Sequence, residues 1–279
     1  MHSVEHWLEE IHRKKQRWTW LFLDLDNTLW DFDANAKEAL KELYRRHELH
    51  LHCDWHVDAF VALYQDVNAA YWKKYERGEV DKETLRTARF TDTFNQMGIP
   101  AAIQPANVWQ EYLEICPIMT ITMPGANAAL QRLSERYKIG ILTNGFEATQ
   151  RIKIQSNGFE PYVSFMQTSE QLGVAKPSAV FFDEALKKAR VTAEEVMYLG
   201  DTWETDVLGG CQAGLATFWY QNRNHRTLPA EEINLATTSW IEGGFWANDM
   251  HERNGESWNL PNYMGRIYDW DGFASWLMA

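Results

Sequence analysis

Two aspartates separated by one residue, Asp24 and Asp26, close the run Phe22-Leu23-Asp24-Leu25-Asp26-Asn27-Thr28-Leu29. Side chains two apart on a strand point to the same side, so both carboxylates are expected to face one crevice. Like charges that close repel unless a cation or a shared proton stabilises them. At the C-terminal end of a strand, where open α/β sheets bind ligands, such a pair points to a metal-assisted reaction centre. The bland alternative is an Asx-rich turn closing a strand.

Three further segments extend the pattern. Lys138-Ile139-Gly140-Ile141-Leu142-Thr143-Asn144-Gly145 is a second apolar strand ending in a hydroxyl and a turn. Val174-Ala175-Lys176-Pro177-Ser178 places a lone lysine before a helix start. Val196-Met197-Tyr198-Leu199-Gly200-Asp201 is a third buried strand ending in a carboxylate, with Asp206 five residues on. Together these residues specify a metal–phosphate site without fixing which carboxylate attacks.

The ordered set resembles the four motifs of the haloacid dehalogenase-like (HAD) hydrolases. The resemblance implies Asp24 as the nucleophile that forms an aspartyl-phosphate and Asp26 as the acid and base that serves the leaving group and the water. It implies Thr143, Asn144, Gly145 and Lys176 as donors to the phosphoryl oxygens. Mg²⁺ would be held by Asp24, the backbone carbonyl of Asp26 and Asp201, with Asp206 holding a metal-bound water or orienting Lys176. Dehalogenases of this superfamily need no acid at the position of Asp26, so the aspartate there points to a phosphatase. A second pattern, Asn68, Trp72, Tyr75, Gly78, Glu79, Leu85, Arg86, Arg89 and Phe90, resembles the pyrimidine 5′-nucleotidase branch. It implies nucleoside 5′-monophosphates such as UMP, dUMP and dTMP as substrates. The alternatives are a phosphatase for phosphoglycolate or a sugar phosphate, or a non-catalytic binding protein on the same scaffold.

The elements that must position these residues follow from periodicity. A short amphipathic helix over 4–17 leads into a strand at 19–25. Four helical patterns then succeed one another: one capped by Asp33, one by Asp54, one by Asp81, and a fourth with Pro105 in its first turn. They predict an inserted helical-bundle cap over 33–119. From Pro124 strands and helices alternate, which predicts a doubly wound parallel sheet, a Rossmann-like core formed by 1–32 and 120–279. After Asp201 a helix is expected to reach Gly214. Residues 221–265 show little periodicity and read as an irregular insertion. Trp240, Phe245, Trp246 and Trp258 in that stretch suit a covered sheet edge or a subunit contact, so a homo-oligomer is an open expectation. Asn68, polar within an apolar stripe, is expected to hydrogen-bond a base, and Arg86 and Arg89 either receive an anion or pair with cap carboxylates.

A formal net charge of −12 over 279 residues argues against nucleic-acid polymers and anionic membranes as partners. A small anionic metabolite remains possible where local cations receive it. Three scattered cysteines, Cys53, Cys116 and Cys211, suit a reducing cytoplasm. The opening segment lacks the order of a secretion signal. His47, His50, His52, Cys53 and His56 match no zinc spacing and read as a polar loop. Asp31 is expected to tie down the turn after the first strand.

Overall fold

In the computed structural model, helix α1 (Val4–Lys15) leads into strand β1 (Trp20–Leu23), whose four side chains are all buried. Four helices follow: α2 (Phe32–Arg46), α3 (Val57–Glu76), α4 (Lys82–Gln96) and α5 (Val108–Ile115). Alternation then begins with α6 (Ala126–Ser134), β2 (Lys138–Thr143), α7 (Glu147–Ser156), β3 (Phe165–Thr168), α8 (Ser169–Leu172) and α9 (Ala179–Ala189). It continues through β4 (Val196–Gly200), α10 (Gly209–Gln212) and β5 (Ala216–Tyr220). Four three-residue strands, β6 (Ser239–Ile241), β7 (Phe245–Ala247), β8 (His251–Arg253) and β9 (Glu256–Trp258), precede β10 (Tyr263–Ile267) and α11 (Trp270–Met278). The structure describes residues 4–221 and 262–279, with backbone alone for 4–8, for 10 and for the four short strands.

The sheet runs β3-β2-β1-β4-β5-β10-β7-β6, and its first six strands are parallel. From β1 the chain moves outward through β2 and β3, then returns to place β4 and β5 on the other side. The winding therefore reverses between β1 and β4, and the crevice beyond their C-terminal ends is where such sheets bind ligands. Trp20, Phe22, Leu142, Phe181, Phe182, Val196 and Tyr198 form one buried cluster of this core. Trp270, Phe273 and Leu277 bury the apolar face of α11.

The chain divides into two compact units, one of Met1–Asp31 with Ile121–Ala279 and one of Phe32–Thr120. The second unit holds α2 to α5 around Phe60, Tyr64, Phe90, Phe94 and Tyr112, with Tyr64 and Phe90 ring centroids 4.6 Å apart. Asp81 caps α4, its carboxylate accepting the Thr84 N–H at 2.7 Å. Other helix starts differ from the expected ones. Asp33 lies inside the first turn of α2, His56 rather than Asp54 caps α3, and α5 begins three residues beyond Pro105. Burial of Phe60, Val61 and Tyr64 sets where α3 begins, and the cap falls on whichever residue precedes it.

Two corrections concern the first unit. The helix expected after Asp201 is present but opens as a π-helical turn, Trp203–Leu208, before α10. The stretch 221–265 is not irregular throughout, because β7 pairs antiparallel with β10 and β6 with β7. Three-residue strands are too short for alternation to show in a sequence window. The side chains of Trp240, Phe245, Trp246 and Trp258, for which an edge or subunit contact was expected, lie outside the described residues.

Candidate active site

Asp24 stands one residue past β1, and its N–H donates to the Leu199 carbonyl at 2.9 Å, extending the β1–β4 pairing to the sheet's end. The loop beyond it is fixed from both sides. Asn27 takes a left-handed φ of 57°, which asparagine tolerates better than most residues. The indole N–H of Trp270 on α11 donates to the Thr28 carbonyl at 2.9 Å. Thr28 Oγ1 in turn reaches Asp24 Oδ2 at 3.3 Å. Asp31 is buried at the loop's far end, its N–H on the Ile121 carbonyl at 3.1 Å.

Lys176 gathers the centre. Its Nζ lies 2.6 Å from Asp24 Oδ1, 2.7 Å from Asp206 Oδ1, 2.9 Å from the Leu142 carbonyl and 3.2 Å from the Tyr198 hydroxyl. Its loop is held by Asn144, whose amide accepts the Lys176 N–H at 2.9 Å and donates to the Lys176 carbonyl at 3.1 Å. Burial alone would lower the ammonium, but Asp206 and Asp24 outweigh it and hold Lys176 above its ordinary value. Burial raises the Asp24 carboxyl to about 7, Lys176 opposing and Asp206 and Asp26 adding to the rise. Asp201 is likewise pushed well up by desolvation and by Asp24 and Asp206.

The π-helical turn after β4 swings Asp206 back onto the strand it has just left. There it accepts the Tyr198 hydroxyl at 2.5 Å and the Thr202 N–H at 3.0 Å. π-turns of this kind recur at functional sites. Position 200 must be glycine for the return, since a Cβ there would stand 2.4 Å from Asp206 Cγ. Gly200→Ala should therefore dislodge Asp206 from Lys176 and destabilise the fold by about 1–3 kcal/mol, as overpacked cores do. Urea denaturation of the variant checks this, and an unchanged midpoint would mean the turn has room to spare. Asp201 is steadied from behind by Trp219, whose indole N–H donates to the Asp201 carbonyl at 2.7 Å.

Asp26, whose charge adds to the rise at Asp24, has partners of its own. Its carboxylate takes partners from α7: Lys153 Nζ at 2.6 Å and Gln150 Nε2 at 2.7 Å. Strand β1 ends at Leu23, so both aspartates stand just beyond it. Gln150 Nε2 also donates to Thr143 Oγ1 at 2.6 Å, and the Gly145 N–H donates to the same oxygen at 3.1 Å. Both acceptor positions of the Thr143 hydroxyl are thereby filled, leaving its own O–H as a donor. Gln150 and Lys153 went unnoticed in the sequence. Their signal was an i, i+3 polar pair sharing the buried face of α7 with Ile154.

Asp24, Asp201 and Asp206 present carboxylate oxygens that all lie within 4.8 Å of one another. Three carboxylates against the single Lys176 ammonium leave an excess of negative charge, and every donor is a hard oxygen. That set fits a divalent cation such as Mg²⁺. Among the described residues, the histidine segment brings no comparable group together; His47 pairs with Glu111 at 3.0 Å and His56 caps α3. In the second unit, Asn68 is buried and accepts from Arg89 Nη1 at 2.7 Å, and the Arg89 guanidinium packs over the Tyr112 ring at 5.2 Å. No described helix is long and apolar enough to cross a membrane.

A reversal of winding between β1 and β4, with acidic side chains and a buried lysine at their C-terminal ends, is the plan of a hydrolase with a Rossmann-like core. Residues 19–214 match the family model of haloacid dehalogenase-like hydrolases, and the chain belongs to that family. It is 32% identical over 214 residues to the pyrimidine 5′-nucleotidase YjjG of Escherichia coli, covering 76% of this chain and 90% of that one. It is also 32% identical over 207 residues to the pyrimidine 5′-nucleotidase PynA of Streptococcus pneumoniae, covering 74% and 84% respectively. The crystal structure of the HAD-hydrolase YfnB of Bacillus subtilis bound to magnesium superposes with a TM-score of 0.67 at 25% identity, covering 78% of this chain and 97% of that one.

Proposed function

We propose that this hydrolase is a Mg²⁺-assisted phosphomonoesterase acting through Asp24 on nucleoside 5′-monophosphates, pyrimidine ones such as UMP, dUMP and dTMP foremost. The observation that carries the reading is Lys176 buried between Asp24 and Asp206, 2.6 and 2.7 Å from their oxygens. An ammonium so placed meets a dianionic phosphoryl group where the nucleophile alone would repel it. Asp24, the Asp26 carbonyl and Asp201 would hold the metal, with Asp206 behind Lys176. When bound, Mg²⁺ supplies charge neutralisation between carboxylate and phosphate. The magnesium named for YfnB and the nucleotidase names of YjjG and PynA support both parts of the reading.

In the first half-reaction an Asp24 oxygen forms a bond to phosphorus, the ester P–O bond breaks, and the departing alkoxide takes a proton from Asp26. In the second, a water oxygen bonds to phosphorus and gives its proton to Asp26. The bond to Asp24 breaks, and inorganic phosphate leaves. The outward O–H of Thr143 and the Lys176 ammonium stabilise the equatorial oxygens in both. Residues 32–120 take the role of the cap that selects the leaving group.

A phosphate-release panel tests the proposal. With Mg²⁺, UMP, dUMP and dTMP should be hydrolysed faster than phosphoglycolate or sugar phosphates, and a chelator should abolish release. Preference for phosphoglycolate over every nucleotide would remove the nucleotidase reading. Undiminished turnover in chelator would remove the metal.

A further inference from the structure

Gln150 and Lys153 leave the same face of α7 and are 0% and 4% exposed. They take Asp26 by its two separate oxygens, Lys153 on Oδ1 and Gln150 on Oδ2. Lys153 is seated from the other side by the fully buried Trp30, its Nζ 4.2 Å from the ring centroid. Gln150 is held by its second bond, to Thr143 Oγ1, and by the missing side chain of Gly145, where a Cβ would stand 2.2 Å from Gln150 Nε2. A buried lysine and a buried amide contribute less to packing than apolar residues of equal size unless their polar atoms are used. Here the Lys153 ammonium and the Gln150 amide N–H are both used on one carboxylate, while Gln150 Oε1 is buried without a partner.

We propose that Lys153 and Gln150 are positioning residues that hold Asp26 as the proton acceptor for the water that cleaves the aspartyl-phosphate. The inference rests on the phosphatase reading above. In that step the water oxygen bonds to phosphorus and its proton passes to Asp26. The phosphorus–Asp24 bond breaks, releasing inorganic phosphate and the free carboxylate. Two fixed donors leave the accepting carboxylate no freedom to turn away, and each engages a different oxygen. Formation of the aspartyl-phosphate from p-nitrophenyl phosphate asks no proton of Asp26, because nitrophenolate departs without one.

The test is steady-state and rapid-mixing kinetics of the full chain with Mg²⁺ and p-nitrophenyl phosphate. Lys153→Met should lower kcat on the order of 100-fold while kcat/KM stays within about threefold, since only the second half-reaction is impaired. The first turnover should then appear as a burst of nitrophenol approaching one per active site, and acid quenching should trap phosphate on the protein. Lys153→Arg should recover most of kcat, and Lys153→Met should cost nothing further in an Asp26→Asn background. Gln150→Leu also frees Thr143 Oγ1, so it should lower both, kcat more than kcat/KM, and Lys153→Gln decides the matter should Lys153→Met fail to fold. Equal losses in kcat and kcat/KM without a burst would overturn the inference, as would an unchanged kcat. Wild-type protein that hydrolyses no phosphomonoester would instead remove the phosphatase reading itself, and this inference with it.

Discussion

Asp24→Asn is expected to abolish turnover, by ~10⁴-fold or more, with the fold intact. The amide keeps the size of the carboxylate and an oxygen for Lys176 Nζ, which now lies 2.6 Å from Oδ1, while its NH2 group takes the place of Oδ2, 3.3 Å from a Thr28 hydroxyl that can turn to accept. What it loses is the ability to attack phosphorus. It also removes one of the charges that Asp206 and Asp26 oppose, so the thermal midpoint should stay level or rise. Phosphate release and a melting curve on the same preparation check both halves. Turnover within tenfold of wild type would place the nucleophile elsewhere.

Lys176→Met is expected to lower both stability and activity, and Mg²⁺ is expected to restore part of the first. Removing one partner of a buried ion pair strands the other, at about 3–5 kcal/mol. Here the Lys176 side chain is 3% exposed and those of Asp24 and Asp206 are 8% and 2%, so water does little to soften the loss. A divalent cation bound to the folded form would offset the stranded charge by mass action, making the denaturation midpoint of this variant more Mg²⁺-dependent than that of wild type. Hydrolysis should fall on the order of 10²–10³-fold, the effect of losing one fixed donor to the transition state. Urea titrations with and without Mg²⁺ measure the first effect. A stability change under about 1 kcal/mol, as for an exposed pair, would mean the lysine does not hold the centre.

Where chemistry coincides with a strand end, the sequence was readable. Asp24, Thr143 and Asp201 each end or follow an apolar run, and the structure brings them to the point where the winding reverses. Lys176 was readable through its place before a helix. Asp26 was readable as a residue but not in its partners, which come from α7, far along the chain. Gln150 and Lys153 were hidden because polar residues on a helix normally face water, and nothing local marks a buried lysine awaiting a carboxylate from 127 residues away. The π-turn at Trp203–Leu208 was hidden for a related reason: its register is set by Asp206 reaching Lys176, a contact made across the fold. The strands between 239 and 258 were too short to leave a pattern.

Asn144 grips the Lys176 peptide by both of its backbone groups, much as one base grips another across a duplex. The end of β2 and the lysine loop are thereby riveted into one piece before any ligand arrives. Charge that builds during reaction then finds its dipoles already aligned, and the reorganisation that water would have to undergo around the same ions is left out of the barrier.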